Sequence, residues 1–235
     1  MANYTYIGSE LELFRHARNW KAYWSSLVRP FLGNEVLEVG AGIGSNTEII
    51  CQRKYKRWLC LEPDSVFAST LKISIENKLI PQYCEVKVGN LFDLSCEDKF
   101  DSIVYIDVIE HIENDNLEAK IAVKHLNKNG YLIILSPAHQ WLFSEFDKSI
   151  GHYRRYNKKT LSSIIPHNLK CINLRYIDSI GLAASLSNKF ILNRKRPAKN
   201  QILLWDRAMI PLSQKIDPLI NYSLGKSILG IWQKI

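Results

Sequence analysis

The sequence predicts an α/β fold in which a doubly wound, mostly parallel sheet of seven strands carries helices on both faces. Two observations lead to this prediction. Strand-like apolar runs alternate with helix-like segments along most of the 235 residues. A glycine-rich turn joins the first strand-like run to a helix-like segment, as in sheets that bind nucleotide-type ligands. An N-terminal helix and a helical C-terminal elaboration complete the predicted architecture.

The elements are predicted in order from apolar periodicity and from the positions of glycine and proline. Apolar residues at a helical period ahead of Pro30 predict a helix within residues 1–32. The strand-like runs lie near 35–39, 57–62, 83–88, 101–107, 130–136, 169–177 and 227–232, the last of them antiparallel. The helix-like segments lie near 43–53, 64–78, 116–128 and 178–225.

The chain is expected to form a single domain, because no internal repeat or low-complexity linker divides residues 1–235. Its predicted parts are the N-terminal helix (1–32), a cofactor-binding core (33–177), a helical substrate-side elaboration (178–225) and a last strand (226–235). An apolar content of 46% and a charged content of 23% are ordinary for a globular protein.

Localisation is predicted to be cytoplasmic. The first residues lack a basic segment followed by an apolar one, and eighteen consecutive apolar residues occur nowhere in the sequence. The five cysteines are scattered without the spacing of a disulfide framework or a zinc site, which favours reduced thiols.

Charge is distributed unevenly along the chain. Residues 148–235 contain 16 Lys and Arg against three acids, a net charge of +13, whereas residues 1–147 have a net charge of −5. The basic third either attracts an anionic partner or is merely a solvated face. The anionic partners considered are a phosphorylated or carboxylated substrate, an anionic membrane surface and, less favoured because no aromatic-basic RNA motif is present, a nucleic acid.

The turn after the first predicted strand is the most informative stretch of the sequence. Gly40, Gly42 and Gly44 permit a tight turn and a close approach of the backbone to a ligand. The third glycine comes one residue earlier than in the G-x-G-x-x-G of dinucleotide folds, and Glu38 suits a cationic cofactor better than a pyrophosphate. About twenty residues on, Glu62 ends a strand-like run where an acid can bond both hydroxyls of a ribose. The early third glycine and Glu38 together disfavour a nicotinamide-dependent oxidoreductase.

At these residues the sequence resembles the class I S-adenosylmethionine-dependent methyltransferases, whose first motif reads like residues 37–44. The resemblance implies a Rossmann-like methyltransferase fold and S-adenosylmethionine as the cofactor. It implies that Asn90 and Leu91 contact the adenine and that Asp107 lies beside the methionine moiety. The full set of implied cofactor-binding residues is Glu38, Gly40, Ala41, Gly42, Gly44, Glu62, Pro63, Asn90, Leu91, Asp107 and Val108.

His111 is the candidate catalytic residue, and three roles stay open for it. It is a general base for a hydroxyl acceptor, an orienting residue, or a metal ligand. Asp107, Glu110 and His111 resemble the acid and acid-His spacing by which some methyltransferases bind a divalent ion, with His139 or His152 as a second histidine. No metal is the preferred prediction, and the alternative set is Asp107, Glu110, His111 and His152.

The segment from Pro137 to Tyr156 is predicted to bind the acceptor, because it leaves the carboxyl end of a strand and combines aromatic residues with two arginines. The alternative is that the arginines tie this loop to the acidic N-terminal half. The segment resembles a subgroup of bacterial methyltransferases that accompany polysaccharide or lipid-linked sugar assembly. The candidate acceptor-binding residues are His139, His152, Tyr153, Arg154 and Arg155.

The predicted function is S-adenosylmethionine-dependent methyl transfer to a small or carrier-linked acceptor that has an anionic group, at oxygen rather than nitrogen or carbon. One alternative is divalent-metal-assisted O-methylation. The other is a non-catalytic methyltransferase-like protein that binds nucleic acid or membrane through its basic third. Peripheral membrane contact through residues 179–224 is compatible with catalysis.

Overall fold

A computed structural model describes residues 10–187 and 199–235, which form one seven-stranded sheet with helices on both faces. The strands are β1 Glu35–Val39, β2 Arg57–Glu62, β3 Cys84–Val88, β4 Phe100–Ile106, β5 Leu126–Pro137, β6 Leu169–Ile177 and β7 Ser227–Lys234. Their order across the sheet is β3-β2-β1-β4-β5-β7-β6. Neighbouring strands are parallel except where β7 pairs with β5 and β6. The predicted fold class and the antiparallel last strand are confirmed.

Helices cover both faces of this sheet. They also form the part of the chain before β1 and most of the part between β6 and β7. They are α1 Glu10–Phe14, α2 Arg18–Val28, α3 Thr47–Ile50, α4 Ser65–Glu76, α5 Asp115–Lys124, α6 Glu145–Ser149, α7 Lys158–Ser163, α8 Ser179–Ser187, α9 Lys199–Leu204 and α10 Ile210–Leu219. A π-helical turn, Trp205–Met209, joins α9 to α10, so residues 199–219 are helical without a break. The predicted helical elaboration is present among the described residues, and residues 188–198 of that prediction lie outside them.

The core has two halves because the central strands are buried on both faces, as parallel strands covered by helices are. Trp24 of α2 packs in the half that contains Val36 and Val104, and the other half contains Leu37 and Ile103. Alternate residues of β1 and β4 thus point into different halves. Among the described residues, we find no helix that combines the length and the apolar character needed to cross a membrane. Cytoplasmic localisation stays a prediction.

Two helices differ from the prediction in their extent. The helix predicted near 43–53 is confined to α3, because Gly40, Gly42 and Gly44 all adopt positive φ and keep the preceding residues in a loop. The N-terminal helix predicted within 1–32 is divided into α1 and α2, and residues 1–9 lie outside the described part of the chain.

Candidate active site

Three residues in left-handed backbone conformation mark the carboxyl edge of the sheet. Asp107 (φ 55°), His139 (φ 67°) and Asp178 (φ 67°) follow the ends of β4, β5 and β6, respectively. This conformation is unfavourable for residues that have a Cβ atom, and such strain concentrates at functional sites. Parallel sheets also bind their ligands at this edge. The candidate site therefore lies here.

The glycine loop follows β1 at the point where the strand order reverses. The Gly40 amide donates to the Leu61 carbonyl of β2 at 2.8 Å. A Cβ atom on Gly40 would lie 2.7 Å from Cγ2 of Val108, so the loop after β1 touches the loop after β4. The predicted loop residues are thus brought together with Val108 at the topological switch point, where doubly wound sheets bind nucleotides.

Glu38 lies beneath the loop. Its Oε2 accepts hydrogen bonds from Oγ1 of Thr47 (2.8 Å) and Nε1 of Trp58 (3.0 Å), and the side chain is buried. Burial raises the pKa of Glu38 to about 7, although both hydrogen bonds and the nearby Lys21 ammonium oppose the rise. The structure therefore shows Glu38 as an anchor for α3 and β2, and direct contact with a cofactor stays a prediction.

Glu62 is held at the end of β2 by two backbone amides. Oε2 accepts from the Gly42 amide at 2.7 Å. Oε1 accepts from the Asp64 amide at 2.9 Å, and Pro63 lies between Glu62 and Asp64 in the sequence. Burial raises the pKa of Glu62. Each carboxylate oxygen has a second lone pair, so the acid is fixed in position and still able to accept from ribose hydroxyls. That role stays a prediction.

The turn predicted to contact adenine presents a different apolar side chain from the predicted one. Asn90 begins this turn, and its Oδ1 accepts from the Phe92 amide at 2.9 Å. Leu91 is 1% exposed and lies in the core, whereas Phe92 is 67% exposed. The predicted Leu91 is thus a core residue in this structure, and Phe92 is the apolar side chain that this turn offers to a ligand.

Asp107 lies at the carboxyl edge of the sheet, directly after β4. It is accessible to solvent, yet protein surrounds it closely enough that burial raises its pKa to about 6. Four cations lower that pKa in part: His152 when protonated, Lys21, Lys226 and Arg155. A carboxylate in this setting attracts a sulfonium cation, as predicted for the residue beside the methionine moiety.

Glu110, His111 and His152 form a cluster whose potential ligand atoms all lie within 4.8 Å of one another. Asp107 lies outside this cluster. His139, the other candidate second histidine, lies elsewhere, because its Nε2 is 3.0 Å from the Gly225 carbonyl oxygen and its ring stacks on Tyr176. The structure therefore brings together three of the four residues in the alternative metal set.

The cluster fits a divalent cation by its donors and by their support. Oε1 of Glu110 is buried with no hydrogen-bond partner, while Oε2 accepts from Ser136 at 3.0 Å. Nδ1 of His152 is 2.9 Å from Oδ1 of Asp147, which leaves Nε2 directed toward Glu110. Two histidines, one carboxylate and a second carboxylate behind one of the histidines are a recurrent metal-binding arrangement.

Of the three residues, His111 has a pKa that agrees with this fit, whereas Glu110 and His152 have raised pKa values and must lose protons to bind a metal. Burial, together with the neighbouring His152, lowers the pKa of His111 to about 3, so His111 is neutral across the physiological range. Burial raises the pKa of Glu110 to about 8 despite the proximity of His152. A neutral imidazole is the form that binds metals. A base with so low a pKa is a poor proton acceptor at neutral pH, which favours the orienting or ligand role of His111.

Both arginines of the predicted acceptor loop are paired inside the protein. Arg155 donates to the two carboxylate oxygens of Asp147 at 2.8 and 2.9 Å. Arg154 forms an ion pair of 2.6 Å with Asp115 and donates to the carbonyls of residues 112 and 113. Asp115 and Asp147 belong to the acidic part of the chain, so these contacts match the alternative that the arginines tie the loop down. Tyr153 is exposed beside Arg154.

Two lysines near Asp107 were not predicted from the sequence. Lys21 of α2 donates to the carbonyl and hydroxyl oxygens of Ser45 at 3.0 and 2.7 Å, and burial lowers its pKa to about 8. Lys226 precedes β7, and burial lowers its pKa although Asp178 opposes this effect. The only signal for Lys21 was its place among aromatic residues of α2, and Lys226 had none beyond its place before an apolar strand.

Comparison with known proteins defines the class. A family model described as a methyltransferase domain matches residues 14–176, and the chain belongs to this family. The predicted class is confirmed. A curated relative, the mitochondrial ubiquinone biosynthesis O-methyltransferase of Dictyostelium discoideum, is 24% identical over 139 residues, which are 55% of this chain and 42% of that protein. The chain thus spans less than half the length of this relative.

Solved structures share the fold at low sequence identity. The [4+2]-cyclase SpnF has a TM-score of 0.63 and 11% identity, over 97% of this chain and 94% of its own. Coclaurine N-methyltransferase bound to N-methylheliamine and S-adenosylhomocysteine has a TM-score of 0.62 and 14% identity, over 91% of this chain and 72% of its own. One of these proteins is named for cyclisation and the other for methyl transfer, so the fold by itself does not assign a reaction.

Proposed function

We propose that this protein transfers the methyl group of S-adenosylmethionine to a small or carrier-linked acceptor, with oxygen as the acceptor atom. The observation that carries the proposal is the position of Glu62, which is fixed at the switch point beside the glycine loop with lone pairs free for ribose hydroxyls. The family match and the O-methyltransferase relative support the reaction and the choice of oxygen.

The chemistry requires little from the protein beyond placement. S-adenosylmethionine, when bound, supplies an electrophilic methyl group on a sulfonium. The Gly40–Gly44 loop permits close approach of the backbone, and Asp107 supplies a negative charge at the carboxyl edge of the sheet. His111, which is neutral, orients the acceptor or a metal rather than taking its proton. Proximity and alignment then account for most of the rate enhancement.

A thermal-shift titration with S-adenosylhomocysteine tests the cofactor assignment, with NADH in parallel. A ligand that binds only the native state raises the melting temperature by mass action. We expect stabilisation by S-adenosylhomocysteine alone, followed by methyl transfer from labelled S-adenosylmethionine in an acceptor screen. Stabilisation by NADH alone would replace the proposal with nicotinamide chemistry.

Lys226 is the cation that we propose for an anionic group of the acceptor, in place of Arg154 and Arg155. Its ammonium is close enough to the Asp107 carboxylate for each to shift the pKa of the other. The ammonium lies 5.4 Å from the centre of the Trp205 ring and forms no salt bridge with a carboxylate of residues 10–187 or 199–235. Lys226→Met should raise the acceptor KM about tenfold or more with a small change in kcat, because it removes binding shared by ground and transition states. Arg154→Ala is the control and should lower the melting temperature with little effect on KM, since its charge is already paired.

Metal-assisted O-methylation is a second candidate, favoured by the orphaned Oε1 of Glu110 beside His111 and His152. A divalent cation held by these three residues would polarise a bound acceptor oxygen. Titration calorimetry with Mn²⁺ and Zn²⁺ on EDTA-treated protein should show one site, which Glu110→Gln abolishes and His139→Gln leaves intact. Binding that survives Glu110→Gln would place the metal elsewhere, and its loss in His139→Gln would contradict the assignment.

The family match favours catalysis over the non-catalytic alternative. We retain nucleic acid only as a competing partner for the basic third, to be tested by the salt dependence of its affinity. The resemblance to methyltransferases of polysaccharide or lipid-linked sugar assembly supports a carrier-linked acceptor. Cytoplasmic localisation is proposed with it and is testable by cell fractionation.

A further inference from the structure

The helical segment 199–219 has two opposite faces of different character. Its inward face recurs at intervals of four, four, three and four residues, as one face of a helix does. The residues of this face are Ile202, Asp206, Ile210, Ser213 and Asp217, and all of them are buried. The segment packs with this face toward α2, α8 and β6. Its outward face therefore lies on the side of the segment away from the sheet.

Leucines lie along that outward face. Leu204, Leu212 and Leu219 are 58%, 50% and 84% exposed, respectively, and they are separated by eight and seven residues, so they share one side of the segment. Single exposed apolar residues are ordinary on protein surfaces. Three large leucines on one helix face between residues 204 and 219 are not, and apolar surface gathered on one side in this way marks binding surfaces.

The same face is cationic. Arg207 and Lys215 are exposed between the leucines. The two acids of residues 199–224, Asp206 and Asp217, both point inward, where Asp206 accepts from the Trp20 amide and Asp217 accepts from the Tyr23 hydroxyl. Exposed leucines accompanied by bases and by no exposed acid are complementary to a surface that is apolar within and negatively charged at its boundary.

We propose that the outward face of segment 199–219 docks on an anionic lipid bilayer. The leucines enter the boundary between headgroups and acyl chains, and Arg207 and Lys215 contact the lipid phosphates. The loop that follows the segment carries Gly225, whose carbonyl is hydrogen-bonded to His139 at the carboxyl edge of the sheet. This surface is additional to methyl transfer and does not depend on it.

Vesicle co-sedimentation of the full chain tests the proposal without any methyl acceptor. Vesicles of phosphatidylcholine with phosphatidylglycerol should retain the protein, and vesicles of phosphatidylcholine alone should retain much less. The double variant Leu212→Ser, Leu219→Ser should weaken binding about tenfold or more, since two buried leucine side chains are lost. The double variant Arg207→Glu, Lys215→Glu should abolish the preference for anionic lipid.

Ile73→Ser is the matched control, because Ile73 is 55% exposed on α4, which packs on β2 and β3 away from segment 199–219. This variant should bind vesicles as the wild-type protein does. Equal binding by the leucine variant and the wild type would overturn the proposal, as would failure of the wild type to bind anionic vesicles. A dimer that dissociates in the leucine variant, or displacement of the vesicles by RNA, would assign the face to a second copy or to nucleic acid instead.

Discussion

Glu38 is a buried acid whose ionisation should weaken the cofactor-free fold. Its pKa is about 7 in the folded protein against an ordinary value of 4.5. Between these two pH values the carboxyl group is therefore protonated in the folded chain and ionised in the unfolded chain. The stability associated with this proton is fully present below pH 4.5 and is lost as the pH rises to about 7. The Gln side chain of Glu38→Gln is neutral at every pH, so this variant does not lose that stability. As the pH rises over this window, the free energy of unfolding of the variant should increase relative to that of the wild type by at most about 3 kcal/mol.

Urea unfolding of both proteins at several pH values measures this difference. Glu76 is exposed, so Glu76→Gln is the control. Its free energy of unfolding should change with pH as that of the wild type does across the same window. If Glu38→Gln also ran parallel to the wild type, Glu38 would be ionised at all of these pH values, and its burial would not govern its charge.

At the scale of single residues, the sequence indicated which residue types gather at the site but not which of them are already paired. Arg155 meets Asp147 eight positions away, and Arg154 meets Asp115 across 39 positions. Pairs at such separations depend on how the loop folds over the sheet edge, which no local periodicity encodes. For the same reason Lys226 could not be connected with Asp107.

At the scale of elements, prediction was more successful because strand and helix periods are local. All seven strands were expected near their observed positions, since each is an apolar run bounded by turns. The helix after the glycine loop was predicted too long, because apolar spacing does not show that Gly40, Gly42 and Gly44 all adopt positive φ. Leu91 and Phe92 illustrate a similar limit, since the sequence does not show which of two adjacent apolar residues turns inward.

The contact between the glycine loop and the loop after β4 predicts a specific mutational coupling. Alanine at Gly40 would have positive φ and a Cβ atom 2.7 Å from Val108, whereas alanine at Gly42 would have similar φ and only an ordinary contact of 3.4 Å with Leu11. Gly40→Ala should therefore destabilise the protein more than Gly42→Ala, by about 1–3 kcal/mol. The two variants share the same backbone cost, so their difference isolates the clash.

A double-mutant cycle checks this coupling. Val108→Ala should recover most of the extra loss in Gly40→Ala and none of the loss in Gly42→Ala, when unfolding is followed in urea without ligand. Equal effects of Val108→Ala in both backgrounds would mean that the two loops do not meet through this side chain.

At the scale of the whole molecule, the two ends of the chain are joined through buried acids. Asp206 of the π-helical turn accepts from the Trp20 amide of α2 at 2.8 Å, and Asp217 of α10 accepts from the Tyr23 hydroxyl at 2.7 Å. The N-terminal helix and the C-terminal elaboration therefore stabilise each other on one face of the sheet. This arrangement supports the predicted single domain and predicts that the chain unfolds as one unit.

Asp217 is the residue that best tests this unity. It also accepts from the Asp178 and Ser179 amides at 2.7 and 3.1 Å, so Asp217→Ala would leave three donors in the protein interior without a partner. We expect a loss of about 3–5 kcal/mol, and about 1 kcal/mol for Tyr23→Phe, which removes one bond alone. Urea unfolding followed by both tryptophan fluorescence and circular dichroism should give one transition that shifts as a whole. Two transitions, of which only one moves in Asp217→Ala, would contradict the single domain and show that the terminal parts unfold separately from the sheet.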